Sequence, residues 1–303
     1  MTRHLLEIDD LNADELEEVL ERCTAPHPAR VLDGRGAALI FQKPSNRTRN
    51  STEMAVVELG GHPIYLKPDE VDIDGRETAE DVARTLACYH SVIAARVFDH
   101  TVLERMAGAV TIPVVNLLSD LSHPLQAIAD LLTIRAEFGP QLGGRSVTWV
   151  GDYSNVARSL GLACSMQGMR IRFSCPEAYQ PPAEDLMRMA ELGADWAEYD
   201  GDPQAAAEGT DVLVTDAWYS MGQEEEAALR KPIFERYRVD QALLDRAHDD
   251  AIFMHCLPAH RGEEVTNEVL DGPRSRVWPE AANRQPAARG ALEWLVGASE
   301  AGR

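Results

Sequence analysis

Short apolar runs alternating with amphipathic stretches constrain this chain more than any single motif. The runs cover residues 37–41, 92–95, 114–118, 147–150, 171–173, 212–215 and 252–255. Between them lie segments of helical periodicity at 78–87, 101–107, 125–138, 156–166, 183–192 and 241–247. Strands and helices in alternation imply an α/β chain of parallel, doubly wound sheets covered by helices. A length of 303 residues fits two such domains. Gly139-Pro140 and Gly143-Gly144 punctuate the chain after the segment 125–138, so the boundary is expected there, with domains at 1–138 and 139–279.

In sheets of this kind ligands sit beyond the carboxyl ends of the strands, so the residues that follow each run matter most. The first run leads into Pro44-Ser45-Asn46-Arg47-Thr48-Arg49, and a helical pattern from about 48 to 59 is stopped by Gly60-Gly61. Two hydroxyls and two guanidiniums then stand at a helix N-terminus. Free N–H groups, the positive dipole end and the arginine forks favour a phosphate dianion there. The same residues also read as a plain N-cap, Ser45 or Thr48, beside solvated arginines.

Arg96 follows the second run, and Leu121-Ser122-His123-Pro124-Leu125-Gln126 follows the third. Pro124 suits a first helical turn, and His123 and Gln126, three apart, can share one face. After 147–150 comes Gly151-Asp152-Tyr153-Ser154-Asn155, a strand–turn–helix without the G-x-G-x-x-G spacing of a dinucleotide site. Asn155 fits either an N-cap or a hydrogen bond to a small polar substrate.

Asp216-Ala217-Trp218-Tyr219-Ser220-Met221-Gly222 follows 212–215 and opens a polar stretch, expected to be a loop, that reaches about Arg238. His255-Cys256-Leu257-Pro258 closes the run at 252–255. Adjacent strand residues point to opposite faces, so a Cys256–His255 nucleophilic pair is not expected. A last helix is expected from about 278 to 296, with Arg284 near its N-terminal end.

The net charge of −21 argues against nucleic-acid binding and makes clustered arginines more telling, since a phosphate must be drawn in against a repulsive field. No apolar stretch reaches 18 residues, and the acidic N-terminus lacks a signal-peptide pattern, so neither membrane insertion nor secretion is expected. Five scattered cysteines without a CxxC pair point to a reducing cytoplasm.

Taken together, SNRTR at 45–49, Arg96, HPLQ at 123–126, GDYSN at 151–155, DAWYSMG at 216–222, HCLP at 255–258 and EAANR at 280–284 resemble the ornithine carbamoyltransferases. The motifs stand in family order and the resemblance covers nearly the whole chain. It implies two α/β domains, with a C-terminal helix (280–303) returning to the first. It implies a homotrimer, or a multiple of trimers, with active sites between subunits, and no metal or organic cofactor. By position, Ser45, Asn46, Arg47 and Thr48 would hold the phosphate of carbamoyl phosphate. Arg96, His123 and Gln126, assisted by Arg284, would polarise its carbonyl. Asn155, Asp216, Ser220 and Met221 would bind L-ornithine, and Cys256 and Leu257 would line the reaction centre, Cys256 as a binding residue.

Three positions depart from the pattern. Asn46 stands where Thr is frequent, Pro286 stands where His is frequent, and Asp72 falls where many members place a glutamine that reaches a neighbouring subunit. Lys67 is a candidate substitute for that contact. The rival readings are a carbamoyltransferase for putrescine or N-acetylornithine, an NAD-dependent dehydrogenase built on 147–155, and a catalytically silent trimer.

Overall fold

The computed structural model describes residues 2–193, 196–219 and 226–301. The chain forms two compact units, Met1–Ala129 with Asn283–Arg303, and Asp130–Ala282.

The first unit holds a parallel four-stranded sheet of β1 (Gly36–Phe41), β2 (His62–Leu66), β3 (His90–Arg96) and β4 (Val114–Leu118), in the order β2-β1-β3-β4. Chain order reverses between β1 and β3, so the crevice beyond their carboxyl ends is the switch point of this sheet. Helices Ala79–Ala87 and Thr101–Ala109 bury Val82, Leu86, Leu103 and Met106 with Ile40, Ile93 and Ala95 of the strands.

The second unit holds a parallel five-stranded sheet of β5 (Ser146–Val150), β6 (Arg170–Ser174), β7 (Ala197–Tyr199), β8 (Val212–Thr215) and β9 (Ile252–His255). Its order is β7-β6-β5-β8-β9, and the switch point lies between β5 and β8. Gly151 leaves β5 at φ +128°, a conformation that side-chain-bearing residues rarely adopt, and a Cβ there would sit 3.4 Å from Thr215 Oγ1.

The last helix, Val277–Ala301, runs through Pro286 and ends in the first unit. Gly290 lets it approach Cys23 and Val19 of the helix Ala13–Thr24. Trp294 Nε1 donates to Glu18 at 2.9 Å, and Arg22 pairs with Glu293 at 3.3 Å. Among the described residues, no helix is long and apolar enough to cross a membrane.

Several expectations need correction. Edge strands β2 and β7 have no counterpart among the apolar runs, because their residues are partly exposed and alternate with polar or Pro positions. The polar stretch before Arg238 contains the helix Ala227–Phe234 and a 3₁₀ turn, Glu235–Tyr237. Ala227, Ala228 and Leu229 are strong helix formers that the surrounding acids concealed. The segment expected at 241–247 is a single turn, Gln241–Leu244.

Candidate active site

At the switch point of the first sheet, β1 delivers Ser45, whose hydroxyl caps the helix Asn46–Glu58 by accepting from Thr48 N at 3.3 Å. The helix begins two residues before the expected start, because Ser45 and not Thr48 is the cap. Arg47 is half-buried there. Arg49 is not delivered to this end: its Nε pairs with Glu53 at 2.8 Å and its guanidinium covers Tyr65. Asn46 is exposed, its Oδ1 accepting from Asn50 at 2.9 Å.

Thr48, Arg96, His123, Gln126 and Arg284 are all buried and converge on one spot. Thr48 Oγ1 accepts from Arg284 Nη2 at 3.0 Å and from Arg96 Nη1 at 3.4 Å. Arg284 Nη1 donates to Gln126 Oε1 at 2.6 Å, and its Nη2 lies 3.4 Å from His123 Nε2. A guanidinium has no acceptor, so His123 Nε2 presents its lone pair and the ring proton sits on Nδ1. Burial, then Arg284, Arg96 and Arg47, push the His123 imidazolium well below the ordinary histidine range, so the ring is neutral at neutral pH.

The backbone around this cluster is pinned. Gln42 N donates to Arg96 O at 2.8 Å and Gln42 Oε1 accepts from Phe98 N at 2.9 Å, locking the end of β1 to that of β3. Asn116 Nδ2 donates to Leu6 O, Ser119 Oγ and Ser122 O at 2.8–3.1 Å, which shapes the turn before His123.

The second sheet brings Asp216, His255 and Cys256 together beyond β8 and β9, with donor atoms within 4.8 Å of one another. The expected opposition of His255 and Cys256 therefore does not hold: His255 is the last strand residue and the pleat ends with it. His255 Nδ1 accepts from Leu257 N at 2.9 Å, Nε2 faces Glu264 Oε1 at 3.2 Å, and its backbone N donates to Glu280 Oε2 at 2.8 Å. Leu257 sits at φ +60°, a strained conformation for a branched side chain.

Burial pulls the Asp216 carboxyl up from its ordinary value, although His255, the Ala217 N–H and the Cys256 thiol oppose this. Burial, then the Asp216 and Glu280 carboxylates, push the Cys256 thiol well above its ordinary value. Cys256 is therefore a protonated thiol that hydrogen-bonds Asp216, not a thiolate nucleophile. The trio has donor types suited to a transition metal. Both ring nitrogens of His255 are already engaged, however, so an ion would have to break one of those contacts.

Asn155 is the first residue of the helix Asn155–Met166, and its Oδ1 accepts from Val156 N at 3.0 Å. The cap is Ser154, which accepts from Ala157 N. Ser220 and Met221 lie outside the described residues. Their described neighbours are anchored by Arg230, which donates to Asp152 Oδ2 at 2.7 Å, Trp218 O at 3.0 Å and Glu226 Oε2 at 2.9 Å. Lys67 and Asp72 are exposed on the segment that Arg105 fastens at its base through Asp74 and Glu80, at 2.7–2.9 Å.

Sequence reasoning gave no role to Arg230 or Glu264, nor to Glu280, although Glu280 opens the EAANR motif. Glu264 and Glu280 are two among 50 acidic residues, and nothing in their spacing separates a buried carboxylate from a solvated one.

Two family models match the chain. The carbamoyl-P binding domain of aspartate/ornithine carbamoyltransferase matches residues 3–136, and the Asp/Orn binding domain matches residues 143–295. The chain is 45% identical to the ornithine carbamoyltransferase of Acidothermus cellulolyticus, over 99% of this chain and 98% of that one. It is 44% identical to the anabolic ornithine carbamoyltransferase of Pyrococcus furiosus, over 97% and 96%. A solved structure of the Pyrococcus furiosus ornithine carbamoyltransferase superposes with a TM-score of 0.92 at 43% identity, covering 97% of each chain.

Proposed function

This chain belongs to the aspartate/ornithine carbamoyltransferase family, and we propose that it transfers the carbamoyl group of carbamoyl phosphate to the δ-amine of L-ornithine, giving L-citrulline and phosphate. The observation that carries this reading is the buried Thr48–Arg96–His123–Gln126–Arg284 cluster beside a capped helix N-terminus. Such a cluster suits a ligand with a phosphate at one end and a polarisable carbonyl at the other.

In this reading the first unit holds carbamoyl phosphate and the second holds ornithine. Arg47, Ser45, Thr48 and the N–H groups from Asn46 onward take the phosphate, which they also stabilise as it leaves. Arg96, His123, Gln126 and Arg284 surround the carbonyl. The arginines supply fixed positive charge to the oxyanion, and neutral His123 contributes a polar contact without a competing proton. Nitrogen–carbon bond formation breaks the carbon–oxygen bond to phosphate, and the amine proton leaves with the phosphate or a nearby base.

Asp216 offers its carboxylate to the cationic amines, Asn155 with Ser220 and Met221 completes the acceptor side, and Cys256 and Leu257 border the carbonyl carbon. None of these steps calls on a metal or an organic cofactor. A homotrimer and a cytoplasmic setting belong to the same reading; the five cysteines, all free, support the latter.

The test is citrulline or analogue formation from carbamoyl phosphate with ornithine, putrescine, N-acetylornithine and aspartate. Ornithine should give the highest kcat/KM; a higher value for another amine overturns the acceptor assignment. NADH should leave protein fluorescence unchanged.

A further inference from the structure

Glu264 is fully buried, and the proposed reaction makes no use of it. Its Oε1 faces His255 Nε2 at 3.2 Å and accepts from His260 N at 2.5 Å, while its Oε2 lies 3.7 Å from His260 Nδ1. Since His255 Nδ1 accepts from Leu257 N, the ring proton must be on Nε2, and Glu264 is the acceptor that selects this tautomer. The neighbouring Glu263 accepts from the Tyr219 hydroxyl at 3.1 Å and pairs with Lys231 Nζ at 2.7 Å. Tyr219 also stacks on the ring of His260, with centroids 4.9 Å apart and planes 12° from parallel.

Two consecutive carboxylates thus fasten two strand-end loops. One loop leaves β9 with Cys256 and Leu257; the other leaves β8 with Asp216 and passes Tyr219 three residues later. Burying a carboxylate is costly unless its oxygens are satisfied, which makes Glu264 a poor choice for a merely structural position.

We propose that Glu264 and Glu263 are positioning residues for the amine acceptor: Glu264 fixes the His255 ring and through it the Cys256–Leu257 turn, and Glu263 with His260 holds the Asp216 loop in register with that turn. This rests on the assignment of Asp216 and Cys256 to the acceptor side.

Wild-type citrulline synthesis is measured first, and its absence would overturn the reading on which both proposals depend. Glu264→Ala should then lower kcat/KM for ornithine by about tenfold or more, with carbamoyl phosphate Kd, from isothermal titration, within about threefold of wild type. Glu264→Gln keeps an acceptor for His255 and turns an amide donor toward His260, so it should restore ornithine kinetics to within about threefold.

Glu263→Gln and Tyr219→Phe should each raise the KM for ornithine by about threefold or more. Their double variant should be no worse than the worse single one, as expected for two ends of one contact. Folded Glu264→Ala with unchanged ornithine kinetics overturns the proposal, as does equal loss of both substrates. Independent, multiplying effects of Glu263→Gln and Tyr219→Phe overturn it too. If Glu264→Ala does not fold, the Glu263–Tyr219 cycle decides.

Discussion

Arg47 and Asp216 stand on different units and are assigned to different ligands, so their substitutions should separate binding from turnover. Losing a charge-assisted contact to a desolvated dianion costs about 2–5 kcal/mol. Arg47→Gln should therefore weaken carbamoyl phosphate binding by at least about tenfold and lower kcat. Asp216→Asn keeps the shape and removes the charge. Carbamoyl phosphate affinity should stay within about threefold while ornithine turnover collapses. Titration with carbamoyl phosphate beside citrulline kinetics checks both; equal losses of phosphate binding would refute the split.

His123 makes a second prediction. Its folded-state ionisation lies well below 6.5, so the unfolded chain takes up a proton first as pH falls. Its contribution to stability is complete above about pH 6.5 and is lost progressively as pH falls below it, because the unfolded chain is protonated first. His123→Gln removes this loss. Comparing urea midpoints at neutral and acid pH should show a smaller acid penalty in the variant than in the wild type.

Among the elements, the last helix crosses Ala13–Thr24 at close range through Gly290. A Cβ on Gly290 would fall 2.8 Å from Cys23 N and 2.9 Å from Val19 O, and backbone atoms cannot rotate away. Gly→Ala gains about 1 kcal/mol of helix propensity in an open helix, but overpacking costs about 1–3 kcal/mol and here should win. Gly290→Ala should lower the urea midpoint; an increase would show that the helices can separate without cost.

How much of the fold could be read beforehand follows the same logic of burial. β1, β3, β4, β5, β6, β8 and β9 each contain an apolar run, and they were legible. β2 and β7 are edge strands with partly exposed residues, and their sequences carry no such run. The strand-end rule singled out Thr48, Arg96, His123 and Gln126, and the helix-start reading singled out Arg284. It also singled out Arg49, which instead pairs with a residue one turn along its own helix. Glu264 and Arg230 were not legible, because their roles depend on loops that meet only in the folded unit.

At the scale of the whole molecule, the proposed reading predicts a homotrimer or larger assembly in which Lys67, exposed on its segment, contacts a neighbour. Light scattering should give at least three chains per particle, and a fully active monomer would refute this. Lys67→Ala should weaken carbamoyl phosphate binding more than Asp72→Ala does; equal or reversed effects would reject the role given to Lys67.

The origin of Arg284 has a consequence for how the protein is made. Thr48, Arg96, His123 and Gln126 all precede residue 127, whereas Arg284 lies 158 positions beyond Gln126. A chain emerging from the ribosome can finish the four-stranded sheet early, yet the guanidinium that joins Thr48, Gln126 and His123 is added only after the whole second unit, Asp130–Ala282, has been made. The cluster therefore comes into being only once the second unit has been translated, and shorter nascent chains lack it however well their sheet has folded.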